Sequence, residues 1–122
     1  MRAIVVANGE LENPARLKAR LAGWAEARVI AADGGLRNCR QLGLMPESIV
    51  GDFDSIDPAE IPQLQRAGVQ LLRRPRRKDE SDLELALFRA HELGIAQVVV
   101  LGALGGSLRP YVVVVGGVLD VA

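Results

Sequence analysis

Residues 28–55 read RVIAADGGLRNCRQLGLMPESIVGDFDS. Two short apolar runs, Val29–Ala32 and Ser48–Val50, bracket a segment in which Leu36, Cys39 and Leu42 recur at helical spacing and stop at Gly43. The runs are nearly continuous rather than alternating, as expected of strands buried on both faces of a parallel sheet. Strand, helix and strand in one short stretch make a βαβ unit, whose two strands pair in parallel through a helical crossover.

The same pattern extends in both directions. Apolar runs recur at Ala3–Ala7, Val69–Leu72 and Val98–Leu101. Asn13 is placed to cap a helix that starts at Pro14, with Leu17, Leu21, Trp24 and Ala25 on one face. Asp57-Pro58-Ala59-Glu60 reads as a capping box, and Pro62 implies a distorted or late first turn in a helix ending near Gly68. Ser81-Asp82-Leu83-Glu84 is a cleaner box, followed by Ala86, Leu87 and Ala90 and ended by Gly94. The order β-α-β-α-β-α-β-α-β predicts right-handed crossovers and a three-layer α/β/α sandwich with a mainly parallel central sheet.

Composition narrows the function classes. A chain of 122 residues with 49% apolar and 25% charged residues reads as one globular domain. Fifteen basic residues balance fifteen acidic ones, and aromatics are 3%, so neither bulk charge nor base stacking points to nucleic acid. No apolar run approaches the roughly 18 residues of a membrane span, and the opening MRAIVVANGE turns polar too soon for a signal peptide. Cys39 stands alone, which excludes an intrachain disulfide and fits a cytoplasmic setting. Cys39 and Trp24 read as core residues and His91 as a surface residue, none with a chemical role.

Ligands of open α/β sheets bind beyond the carboxyl ends of the strands. Here those ends carry Asn8-Gly9, Asp33-Gly34-Gly35, Gly51-Asp52-Phe53-Asp54-Ser55, the basic loop Arg73–Lys78 with Asp79, and Gly102-Ala103-Leu104-Gly105-Gly106. In extended chain, residues i and i+2 point the same way, so Asp52 and Asp54 can face one cation; two carboxylates plus water and phosphate oxygens is how Mg²⁺ is usually held. The alternative is turn chemistry after a strand. Gly34-Gly35 and Gly105-Gly106 each permit close approach to a phosphate or a turn of positive φ. Lys78, Asp79 and Asp82 combine a cation and acids at a helix start, either for phosphate and metal or as a solvated loop. No G-x-x-x-x-G-K-[ST] or G-x-G-x-x-G is present, so P-loop and dinucleotide fingerprints are absent.

Four motifs in order, Ala32-Asp33-Gly34-Gly35, Gly51-Asp52-Phe53-Asp54-Ser55, Lys78-Asp79-Glu80-Ser81-Asp82-Leu83-Glu84-Leu85-Ala86-Leu87 and Gly102-Ala103-Leu104-Gly105-Gly106, resemble the thiamine pyrophosphokinase family over residues 1–106. The resemblance implies pyrophosphoryl transfer from ATP to the hydroxyl of thiamine, giving thiamine diphosphate and AMP, in a homodimer. It implies Mg²⁺ on the ATP phosphates organised by Asp52, Asp54, Asp79 and Asp82. Asn8, Asp33, Gly34, Gly35, Ser55, Gly105 and Gly106 are expected to line the nucleotide site. Lys78 is expected near the transferred group, and Asp79 as acceptor of the hydroxyl proton.

Two departures stand beside the resemblance. The family's second, β-rich domain, which helps form the thiamine pocket, does not follow in these 122 residues, so impaired activity is expected. Residues 107–122 form an atypical tail: where the family has R-x-D-H, this chain has Ser107-Leu108-Arg109-Pro110, followed by strand-like Tyr111 and Val112 to Val115. Those four residues can be encoded TCG-CTT-CGA-CCA, which read one base later gives Arg-Phe-Asp, so a one-base frameshift of a family sequence is one reading of the tail, left open by the degeneracy of the code. The alternatives are a pyrophosphokinase acting on 6-hydroxymethyl-dihydropterin and a non-catalytic Mg-ATP-binding remnant. A haloacid-dehalogenase-type phosphatase would want Asp52-Phe53-Asp54 on its first strand, not its third.

Overall fold

The computed structural model describes residues 2–11, 13–74, 82–102 and 111–114, with backbone alone for 82–83 and 111–114. Five strands, β1 (Arg2–Val6), β2 (Arg28–Ala32), β3 (Ser48–Gly51), β4 (Gln70–Arg73) and β5 (Gln97–Leu101), run parallel in the order β4-β3-β2-β1-β5. A sixth, β6 (Tyr111–Val114), pairs antiparallel with β5, Val98 opposite Val113 and Val100 opposite Tyr111. The strand-like residues of the tail thus extend the same sheet.

The helices cover both faces, as the sandwich reading requires. Helices α1 (Pro14–Arg20), α2 (Leu36–Leu42) and α3 (Ile61–Arg66) link β1 through β4, three crossovers that all step the same way. Leu17, Leu36, Cys39, Leu42, Ile61 and Leu64 pack on Ile4, Val6, Val29, Ala31, Ile49 and Leu101. The chain then returns past β1 to β5 through α4 (Asp82–Glu92), which lies on the opposite face over Ala3, Val5, Ile30, Val50, Val98 and Val100. Crossovers of one hand put helices on one face while the chain steps one way, and on the other face when it reverses. Ala86 and Ala90 are fully buried, and their small side chains let α4 approach the sheet closely.

Local signals act as the sequence suggests, with differences. Asn13 accepts a hydrogen bond from Arg16 N (3.1 Å) and caps α1. After Arg20, however, the chain tightens into a 3-10 turn, Leu21–Trp24. The tighter winding keeps Leu21 and Trp24 against the core and leaves Ala25 exposed, where helical periodicity places it inward. Gly43, at φ +68, ends α2 in the left-handed conformation. Before α3 the Pro62 distortion takes the form of a 3-10 turn, Pro58–Glu60, capped by Asp57, whose Oδ1 accepts from Ala59 N (3.0 Å). Glu60 does not close the box; it pairs with Arg40 (3.0 Å). Cys39 is buried, Trp24 is half-buried beneath the Arg2 guanidinium (4.3 Å), and His91 is exposed in the last turn of α4. Among the described residues no helix is long and apolar enough to cross a membrane.

Candidate functional site

The carboxyl edge of the sheet carries a turn that begins as β3 ends. Gly51 leaves the strand at φ +151, and a Cβ there would stand 3.0 Å from the Asp33 carboxyl carbon. Phe53 follows at φ +66, a conformation that costs a non-glycine residue about 1–3 kcal/mol unless its surroundings hold it. Three contacts hold it. Its N–H donates to Asp33 Oδ2 (2.7 Å), its ring packs on the core, and Arg73 of β4 lies 5.3 Å above that ring. Arg73 Nη1 also donates to Asp52 O (3.3 Å).

The two aspartates are therefore presented by a turn, not by strand alternation. β3 stops at Gly51, and Asp52 Oδ1 accepts from Asp54 N (3.2 Å) in an Asx turn. The extended geometry expected for Asp52 and Asp54 is corrected accordingly, because the positive φ of Phe53 bends the chain between them. Asp52 is half-buried; Asp54 and Ser55 are exposed. Of the two readings of Asp52-Phe53-Asp54-Ser55, turn chemistry is present in this geometry.

Asp33, Gly34 and Gly35 have structural duties of their own. Asp33 is buried and ties the end of β2 to the turn after β3. Neither glycine needs a positive φ. Each is small because the end of β1 and the loop after it pass close by: a Cβ on Gly35 would stand 2.1 Å from Val6 O, and one on Gly34 2.7 Å from the Asn8 Cβ. Asn38, which the sequence reading did not single out, is buried on α2 and donates through Nδ2 to Ala7 O (2.8 Å) and Gly9 O (2.7 Å). It fixes the loop after β1, as does Gly9 N donating to Gly102 O (2.7 Å). The available signal was position: Asn38 precedes Leu42 by four residues and so shares its inward side.

Two clefts open along this edge. One, of about 620 Å³, is bordered by Asn8, Glu10, Leu11, Arg37, Asn38 and Gln41. The other, of about 290 Å³, brings together Asn8, Asp33, Gly34, Arg37, Arg40 and Ser55. Four of the expected nucleotide-site residues, Asn8, Asp33, Gly34 and Ser55, thus meet at one cleft. Gly35 is buried, and Asp52 and Asp54 border neither cleft. Lys78, Asp79, Gly105 and Gly106 lie outside the described residues, and Asp82 is placed only as the first residue of α4.

Among the described residues no group of three or more His, Cys, Asp or Glu is disposed to hold a metal. Asp52 and Asp54 supply two hard carboxylates at a solvent-accessible turn. That donor set fits Mg²⁺, which takes one or two carboxylates and completes its shell with water and substrate phosphates.

A parallel α/β sheet with an acidic turn and clefts at its carboxyl edge defines an open-sheet domain of the ligand-binding kind. More specifically, the chain belongs to the thiamin pyrophosphokinase catalytic-domain family, whose description matches residues 20–109. Among solved structures, thiamine pyrophosphokinase from Bacillus subtilis is 29% identical with a TM-score of 0.62, over 88% of this chain and 49% of that one. The thiamin pyrophosphokinase family protein from Enterococcus faecalis is 25% identical with a TM-score of 0.62, again over 88% and 49%. Thiamin pyrophosphokinase from Candida albicans, at 20% identity and a TM-score of 0.53 over 76% of this chain and 33% of that one, shares the fold. The chain spans about half the length of the bacterial structures, 49% in each. No curated protein matches.

Proposed function

We propose that this chain is the ATP-handling half of a thiamine pyrophosphokinase. Mg-ATP binds at the carboxyl edge of the sheet, and its β-phosphorus is offered to the hydroxyl of thiamine. The thiamine oxygen bonds to the β-phosphorus, and the bond from that phosphorus to the oxygen bridging the α-phosphate breaks. AMP leaves, and the hydroxyl proton passes to a carboxylate, a role assigned to Asp79. Asp52 and Asp54, with Asp79 and Asp82, hold Mg²⁺, which when bound supplies charge neutralisation to the polyphosphate. Lys78 adds a cation near the transferred group. Asn8, Gly34 and Ser55 border the nucleotide, while Asp33 and Gly35 hold the edge in shape. Such chemistry depends on positioning and charge more than on covalent help.

The observation that carries this reading is the acidic turn itself. Asp33 Oδ2 accepts from Phe53 N at 2.7 Å and holds Phe53 at φ +66 between two aspartates. A structural turn needs one capping carboxylate, here Asp52; it does not need the exposed Asp54 beside it or a buried Asp33 holding the residue between them. The test is AMP release from Mg-ATP, with and without thiamine, beside an Asp52→Ala variant. Thiamine-dependent AMP that disappears in the variant supports transfer by this chain. Asp52-dependent binding of Mg-ATP without AMP supports a donor half that takes its acceptor site from elsewhere. The absence of both Mg-ATP binding and AMP release refutes the reading.

A further inference from the structure

We infer that Arg37 anchors the polyphosphate of the donor nucleotide, an assignment that deepens the proposed function and rests on it. Arg37 lies on α2, is exposed, and borders both clefts at the carboxyl edge, where Asn8 also borders both. Its neighbours on α2 are engaged elsewhere. Asn38 donates to the carbonyls of Ala7 and Gly9, and Arg40 pairs with Glu60 at 3.0 Å.

Arginines of this chain commonly have carboxylate partners. Arg2 meets Glu26, Arg28 meets Glu47, and Arg74 and Arg89 meet Glu92. Among the described residues Arg37 has no such partner; Glu10, on the rim of the larger cleft, makes no ion pair with it. α2 itself carries no acid. Arg37 thus borders both clefts with no carboxylate paired to it among the described residues.

The edge also carries acids, with Asp33 in the smaller cleft and Asp52 and Asp54 on the neighbouring turn, while its other arginines are engaged: Arg40 pairs with Glu60 and Arg73 donates to Asp52 O. A triphosphate carries more negative charge than one divalent cation neutralises, so an uncommitted cation beside these acids offsets the repulsion. A planar guanidinium with forked donors matches phosphate oxygens in geometry and charge. Arg37 supplies that charge from α2, in the cleft it shares with Asp33 and with Ser55 of the acidic turn.

The test is titration calorimetry on the 122-residue chain with Mg-ATP, inorganic tripolyphosphate and adenosine as separate probes. Wild type is compared with Arg37→Gln, Arg37→Lys and Arg16→Gln, the last an exposed position on α1 away from both clefts. Arg37→Gln is expected to raise the Kd for Mg-ATP and tripolyphosphate about tenfold, the loss of one charge-assisted contact. Arg37→Lys is expected to recover part of it. Adenosine affinity and the far-ultraviolet circular dichroism stay unchanged, as does everything in Arg16→Gln. Wild-type affinity in Arg37→Gln overturns the inference and leaves Mg-ATP binding standing. Equal losses in Arg37→Gln and Arg16→Gln, or an equal loss for adenosine, also overturn it. A wild-type chain that binds none of the probes overturns both this inference and the reading beneath it.

Discussion

Gly35 shows how little room the site edge has. A Cβ there would stand 2.1 Å from the carbonyl oxygen of Val6, a backbone atom in the central strand. Gly35→Ala is expected to destabilise the fold by at least about 3 kcal/mol, since the clash is relieved only by moving β1 or α2. Urea midpoints read this directly. Asp33→Ala removes the acceptor of the Phe53 N–H and is expected to cost about 2 kcal/mol, with loss of Mg-ATP affinity as the turn relaxes. Asn38→Ala strands two loop carbonyls and is expected to cost about 1–3 kcal/mol in the same assay. The glycines and Asp33 were legible in the sequence as a motif, but their reasons were not. Sequence spacing shows that Gly34-Gly35 follows a strand; it does not show that Val6 and Asn8 lie against them. Asn38 was missed because one amide on a seven-residue helix resembles a surface residue until its partners, some 30 positions away, are in place.

At the scale of elements, the strands and α2 were readable because each has a period and a stop. α2 is the clearest: Leu36, Cys39 and Leu42 face inward, and Gly43 turns left-handed just after them. Gly43→Ala is expected to cost about 1 kcal/mol, since a Cβ at φ +68 is strained while the nearby Lys18 side chain can move aside. Thermal unfolding measures it. α2 also carries Cys39, whose thiol burial pushes up to about 12. An unfolded thiol titrates near about 8.5. Stability from this group is therefore complete below that pH and is lost as pH rises from there through about 12, because the unfolded chain releases the proton first. Wild type minus Cys39→Ala, compared across that range by urea titration, isolates the effect. Periodicity failed where winding changed. The 3-10 turn at Leu21–Trp24 rotates Ala25 outward, and the bend at Phe53 takes Asp52 and Asp54 out of strand alternation. Both changes are set by tertiary contacts that no local spacing encodes.

At the scale of the whole molecule, the topology brings separate motifs to one edge. Three crossovers in one direction and one in reverse place the ends of β1, β2 and β3 side by side, with β5 beyond β1. This convergence follows from the βαβ order and was legible from residues 28–55 outward. On the proposed function, several residues of the site's chemistry are not among those described. The chain covers 49% of the Bacillus subtilis enzyme, and Lys78, Asp79, Gly105 and Gly106 fall outside the described residues. The claim on which the rest depends is that the acidic turn binds Mg-ATP. Titration calorimetry of Mg-ATP into the wild-type chain and into Asp52→Ala tests it most directly. The account predicts saturable binding by wild type that weakens at least about tenfold in the variant, the loss of one metal carboxylate. Equal affinity in the two proteins, or no binding by wild type while its circular dichroism shows a folded α/β domain, would contradict it.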